Sequence, residues 1–96
     1  MLQELGRLLD QNMLSFETAN AIAEDMSLDL ASQRNSGEIS NDAFLEAGVI
    51  QGGISVLANM VATGVDPSEI MVHFYQIRDR ADTICGNFPE LTPILE

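Results

Sequence analysis

The side chains best suited to chemistry lie in the last third of the chain. His73 is the only histidine and Cys85 is the only cysteine. A nucleophilic Cys–His pair requires the two side chains to lie within hydrogen-bonding distance. On one continuous helix, a rise of about 1.5 Å per residue places them about 18 Å apart. The sequence therefore predicts no such pair, and it predicts that Cys85 is a thiol of the hydrophobic core.

Two patterns match metal sites only in part. Glu69 precedes His73 by four residues, whereas helical di-iron sites use Glu and His three residues apart, and in pairs. Residues 32–43 have part of the spacing of a calcium-binding loop, but Arg34 stands at a ligand position and Ala43 stands where a bidentate carboxylate is needed. A contact between Glu69 and His73 on a solvated helix face is the simpler interpretation. We predict no metal, no cofactor and no catalytic residues.

A group of side chains suited to anions is concentrated in the same region. Guanidinium groups bind carboxylates and phosphates through paired hydrogen bonds, and two of the four arginines follow closely after the histidine. The candidate anion site consists of His73, Tyr75, Arg78 and Arg80. In the alternative interpretation, Arg78 pairs with Asp82 along the helix and the stem of Arg80 covers apolar surface.

The overall charge limits the partners. The chain has fifteen acidic residues against four arginines and no lysine, which gives a net charge of -11. Such a surface repels nucleic acid and anionic membranes, so a basic protein is the expected partner. Solubility or a source organism with acidic proteins would explain the charge equally well. The candidate partner-binding carboxylates are Glu17, Glu24, Asp25, Asp29, Glu38, Asp42 and Glu46; imitation of a nucleic acid would require them in rows on one surface.

Hydrophobic periodicity predicts a small all-α bundle in a single domain, 1–96. The predicted helices span about 2–12, 16–34, 42–63 and 67–86, the first one short. The clearest boundary is the sequence Asp66-Pro67-Ser68-Glu69, with a capping residue, a proline in the first turn and a glutamate expected to reach back. The tail, 87–96, contains two prolines but is apolar, so we expect it to pack on its own domain or on a partner.

The third predicted helix is apolar on more than one face. No charge occurs from Ala47 to Val65, a length close to the ~20 residues of a membrane span. Gln51 and Asn59 within the run, and the absence of flanking basic residues, favour a core helix and no membrane. Because a chain of this length covers little surface, we expect a homo-oligomer. The predicted interface consists of Gly48, Gly52, Ile54, Leu57 and Val61.

These observations predict a non-enzymatic, acidic protein–protein interaction module: an adaptor, a chaperone or an inhibitor, with nucleic-acid mimicry of the phage type as a sharper version. The alternative is an oligomeric ligand-binding protein that holds an anionic metabolite or nucleotide at subunit interfaces through His73, Tyr75, Arg78 and Arg80. The single cysteine and the lack of a basic amino-terminal region predict a cytoplasmic protein.

Overall fold

The chain folds entirely into helices. A computed structural model describes all 96 residues and contains no β-strand. The elements are α1 (Leu2–Asp10), α2 (Phe16–Ser36), α3 (Asn41–Ala62), α4 (Pro67–Asn87), a 3-10 turn (Pro89–Leu91) and α5 (Thr92–Leu95). The all-α prediction is confirmed, with a fifth, one-turn helix in the tail that the sequence pattern did not resolve.

The three long helices begin at side-chain caps. The Ser15 hydroxyl accepts a hydrogen bond from the backbone N–H of Thr18, 3.1 Å away, and Ser40 does the same for Ala43 at 3.1 Å. These contacts satisfy N–H groups that have no partner within the helix. At α4 the Asp66 carboxylate accepts from both the backbone N–H and the hydroxyl of Ser68, at 2.9 and 2.7 Å. The Ser68 hydroxyl therefore completes this cap, in place of the glutamate expected from the sequence.

Left-handed backbone conformations follow three of the helices, at Asn12 after α1, Gly37 after α2 and Gly64 after α3. Gly37 closes α2 with φ of 81°, a value that glycine adopts without steric cost. Asn12 has φ of 53°, which directs the chain away from α1. The helix ends at Asp10, two residues before its predicted end at residue 12. Asparagine tolerates this conformation better than most residues with a side chain, so the early end follows from local chemistry.

Helix α3 lies in the middle of the fold. Helices α2 and α4 both pack against it, α1 packs against α4, and α5 contacts both α2 and α4. Twenty-two buried residues form one core, all of them hydrophobic, including Leu91, Ile94 and Leu95 from the tail. The contribution of α3 is Ala43, Ala47, Ile50, Ile54, Leu57 and Ala58. Only one face of α3 therefore belongs to the core.

By length and composition, α3 is also the one helix that could cross a membrane. Of its most apolar 18-residue window, 28% is buried within the fold. The same test is passed by core helices of soluble proteins. Here the buried residues of α3 pack against α2 and α4, so the observation by itself is weak evidence for a membrane span.

The contact between α1 and α4 depends on a glycine. A Cβ atom added at Gly6 would lie 2.9 Å from Cζ of Phe74, closer than side-chain atoms pack. The Phe74 ring is 3% exposed, so it has little room to move. The missing side chain thus lets the amino-terminal helix lie directly on α4.

We predict that Gly6→Ala destabilises the protein. The added methyl group overpacks the site, which typically lowers the free energy of unfolding by about 1–3 kcal/mol. Gly86→Ala is the matched control, because it lies in α4 with nothing within 4 Å of the added atom. There the better helix propensity of alanine should leave the free energy of unfolding unchanged or raised. Urea unfolding of both variants measures this, and equal stability of the two would contradict the packing argument.

We predict that the Asp66 cap makes stability depend on acid. Hydrogen bonds from the Ser68 hydroxyl and backbone N–H hold the pKa of Asp66 below its ordinary value of 3.8. The charged form is therefore favoured in the folded state, and this stabilisation is present above pH 3.8 and lost as the pH falls through the folded-state pKa. An NMR titration of the Asp66 carboxyl should show the low pKa, and Ser68→Ala should raise it. Identical titrations in the two proteins would contradict the assigned cause.

Candidate functional site

The candidate anion site of α4 is divided between two sides of the helix. His73 and Arg80 face α3: the histidine contacts the α3 backbone, and Arg80 lines a groove of about 370 Å³ with Leu45 and Phe88. Tyr75 and Arg78 instead line a cleft between α1 and α4. Within one chain, the four residues therefore do not surround a single ligand.

His73 connects α4 to α3. Its Nε2 donates a hydrogen bond to the backbone carbonyl of Gly53 over 3.0 Å, and the side chain is half-buried. Gly53 has no side chain, and Ile77 of α4 fills the space beside it, with Cγ1 3.1 Å from where a Cβ would stand. The prediction of a solvated contact between His73 and Glu69 is wrong, because the packing of α4 on α3 turns the imidazole inward.

The cleft between α1 and α4 holds two of the four arginines. It has a volume of about 510 Å³ and is lined by Arg7, Arg78, Tyr75, Asp10 and Glu96 among other residues. The Arg78 guanidinium lies 5.0 Å from the centre of the Tyr75 ring, a cation–π distance. No arginine takes part in the side-chain hydrogen bonds of the protein. The donors of both arginines are thus free to bind an anion, although two carboxylates share the cleft.

Arg7 is the residue of this cleft that the sequence analysis missed. It lies on the polar side of α1, and this position in the sequence pattern predicts only that its side chain is exposed to solvent. Its position beside Arg78 follows from the docking of α1 through Gly6 and Phe74. The residues are 71 positions apart in the sequence, so helix periodicity does not connect them.

The predicted partner-binding carboxylates are distributed over several surfaces. Glu17, Glu24 and Leu28 follow one another on the outer side of α2, since seven and four residues return to the same face of a helix. Asp25 and Asp29 lie along one edge of this stripe. Glu38 lies in the turn after α2, while Asp42 and Glu46 line the groove between α3 and α4. We name Glu17, Glu24, Asp25, Leu28 and Asp29 the α2 acidic face.

The face of α3 directed away from the core is open. Leu45, Val49 and Val56 are 61%, 46% and 50% exposed. A Cβ atom added at Gly48 or Gly52 would meet no atom within 4 Å. We name these five residues the α3 outer face. None of the five residues is charged, but Leu45 and Val49 line the groove that also contains Asp42, Glu46, Arg80 and Phe88.

The predicted oligomer interface is wrong in two of its residues. Ile54 and Leu57 are fully buried among residues of their own chain, and Val61 packs at the edge of the same core. They lie on the opposite side of α3 from Gly48 and Gly52. The predicted interface combined residues from different sides of α3, and the core uses the side that carries Ile54 and Leu57.

The Cys85 thiol and the side chains that could bind a metal ion do not come together in one site. No three His, Cys, Asp or Glu side chains lie close enough to hold a metal ion. Burial raises the pKa of the Cys85 thiol, Glu96 and Asp82 raise it further, and a hydrogen bond involving Thr92 opposes them. Cys85 is therefore a neutral thiol at pH 7, the less nucleophilic form.

Comparison with protein-family models, with curated proteins and with solved structures finds no match for this chain. Its function must therefore be argued from its own surfaces.

Proposed function

We propose that the chain is a non-enzymatic interaction module that binds a basic protein surface through the α2 acidic face. The observation that supports this most directly is Leu28, which is 69% exposed next to the carboxylates Glu24, Asp25 and Asp29. Burial of this leucine by a partner would add an apolar contact to the interface, and the neighbouring charges favour a partner rich in Lys or Arg.

The α2 helix provides a stable platform for this contact. It is capped at Ser15, closed by Gly37, and held by five buried residues on its inner face. Its outer face therefore keeps its position when a partner binds, so little conformational entropy is lost on binding. From Glu17 to Asp29 the face extends about 18 Å, at about 1.5 Å per residue.

The arrangement favours a protein partner over imitation of a nucleic acid. Mimicry requires rows of negative charge without large apolar side chains between them, and Leu28 has no counterpart in a row of phosphates. Asp42 and Glu46 also lie away from α2, beside Arg80. The remaining carboxylates suit a basic helix or loop that carries one apolar residue of its own.

We predict that a photo-reactive amino acid at position 28, in cells of the source organism, captures a basic protein that position 72 does not capture. Val72 is a fair control because it is 57% exposed on α4.

The triple variant Glu17→Gln, Glu24→Gln, Asp25→Asn should then weaken binding of the captured protein about tenfold and reduce the salt dependence of that binding.

A matched variant separates this specific effect from overall charge. Asp79→Asn, Asp82→Asn, Glu90→Gln also changes the net charge from -11 to -8, because three carboxylates are neutralised in each case. All three residues are exposed outside α2. Equal weakening by both triple variants would indicate a general charge effect and contradict a binding face on α2.

A second candidate function is the binding of a small anion in the cleft between α1 and α4. It is favoured by the convergence of Arg7 and Arg78 beside Tyr75, with no hydrogen bond from either guanidinium to the protein. Two guanidinium groups match a phosphate or a carboxylate ligand. The carboxylates of Asp10 and Glu96 would repel an anion, so the ligand must bind on the arginine side of the cleft.

We predict for this second function that ATP or inorganic phosphate raises the melting temperature of the protein. A ligand at 100 times its Kd stabilises the folded state by about 2.7 kcal/mol. Arg78→Ala should abolish the shift, while Arg80→Ala should leave it unchanged because Arg80 lies on the other side of α4. No shift, or the same shift in Arg78→Ala, would remove the cleft as an anion site.

A further inference from the structure

The cleft between α1 and α4 contains charges of both signs, and this limits the anions that it can bind. We propose that its ligand is a small zwitterion, in which a short linker joins a phosphate or carboxylate group to an ammonium group. The inference rests on the second candidate function, because it specifies the chemical class of the anion held there. It gives a binding role to Asp10, which would repel a simple anion.

The two helices that form the cleft run in opposite directions. Gly6, in the middle of α1, lies on Phe74 of α4. Nearer the carboxyl-terminal end of α1, Leu9 lines a pocket together with Ile70, which precedes Phe74 by one turn of α4. Arg78 follows Phe74 by one turn. It therefore lies toward the amino-terminal end of α1.

The charged residues are consequently ordered along the cleft. Glu96 lies at the amino-terminal end of α1, where its main-chain oxygen accepts a hydrogen bond from the Met1 amino group. Asp10 is the last residue of α1 and lies at the opposite end. Arg78 and then Arg7 come between them. An anion bound by the two arginines therefore has a carboxylate on either side of it along the cleft.

The four charged side chains of the cleft are free to bind a ligand. The side-chain hydrogen bonds of the fold involve none of them. The Arg78 guanidinium is positioned instead by the Tyr75 ring, whose centre is 5.0 Å away. A cation–π contact of this kind leaves N–H groups available to donate to an oxyanion. A ligand can therefore bind at both signs of charge without first breaking a hydrogen bond of the protein.

Arg7 and Asp10 indicate how far apart the two charges of the ligand are. They are three residues apart on one face of α1, a separation of about 4.5 Å along the axis at about 1.5 Å per residue. An ammonium group at Asp10 would also lie near the carboxyl-terminal end of α1, where backbone carbonyls carry partial negative charge. A short zwitterion matches this spacing, whereas a simple phosphate leaves Asp10 unpaired.

Two pairs of ligands, matched except for the ammonium group, test the proposal. O-phosphoethanolamine is compared with ethyl phosphate, and β-alanine with propionate, by isothermal titration calorimetry at equal ionic strength. We expect the zwitterion of at least one pair to bind about fivefold more tightly than its partner, the effect of one exposed ion pair. Comparison of the two pairs shows whether the anionic group is a phosphate or a carboxylate.

Asp10→Asn tests the residue that binds the ammonium group. It should reduce the fivefold preference to about one, because it removes the ion pair and also the repulsion that opposes the simple anion. Asp29→Asn is the matched control, since it removes the same charge on α2, at an exposed position outside the cleft. It should leave the preference unchanged. The same preference in Asp10→Asn as in the natural chain would overturn the assignment.

The measurements separate failure of this inference from failure of the anion site itself. Equal affinities within both ligand pairs would overturn the zwitterion and leave a simple anion site in the cleft. Absence of binding by all four ligands, or binding that Arg78→Ala does not weaken, would remove the site and the inference with it.

Discussion

The fold depends on the close approach of two helices to one face of α3. That face is built from alanines and aliphatic residues, with Ala43, Ala47 and Ala58 beside Ile50 and Leu57. Small side chains let the helix axes approach, and the larger ones fill the space between them. The missing side chain of Gly53 has the same effect on the α4 side. His73 reaches the backbone carbonyl of Gly53, which a larger side chain at this position would cover.

Local sequence signals predicted most of the helices because their causes are local. Ser15, Ser40 and Asp66 begin the helices that they were expected to begin, since a cap involves only the next two or three residues. The early end of α1 depends on the positive φ of Asn12. Hydrophobic periodicity does not indicate this backbone conformation, so the end of the helix was not predicted. The one-turn α5 depends on the packing of the tail.

Contacts between distant residues account for what the sequence could not predict. Periodicity shows which residues share a face, so the sequence indicated that α3 is apolar on more than one face. Which of them enters the core is decided by α2 and α4, and Ile54 and Leu57 consequently belong to the interior. The link from His73 to Gly53 and the presence of Arg7 and Arg78 in one cleft follow from the same tertiary packing. The acidic and uncharged surfaces are separated for this reason: α2 turns its carboxylates outward, while α3 exposes a face without charge.

The position of Tyr75 has an optical consequence. It is the only tyrosine, and the chain has no tryptophan, so a single ring provides most of the near-ultraviolet absorption and the fluorescence. That ring stands under a guanidinium at the junction of the first and fourth helices. Its fluorescence is therefore expected to report the detachment of α1. A spectroscopist thus has a native, site-specific sensor without introducing a label.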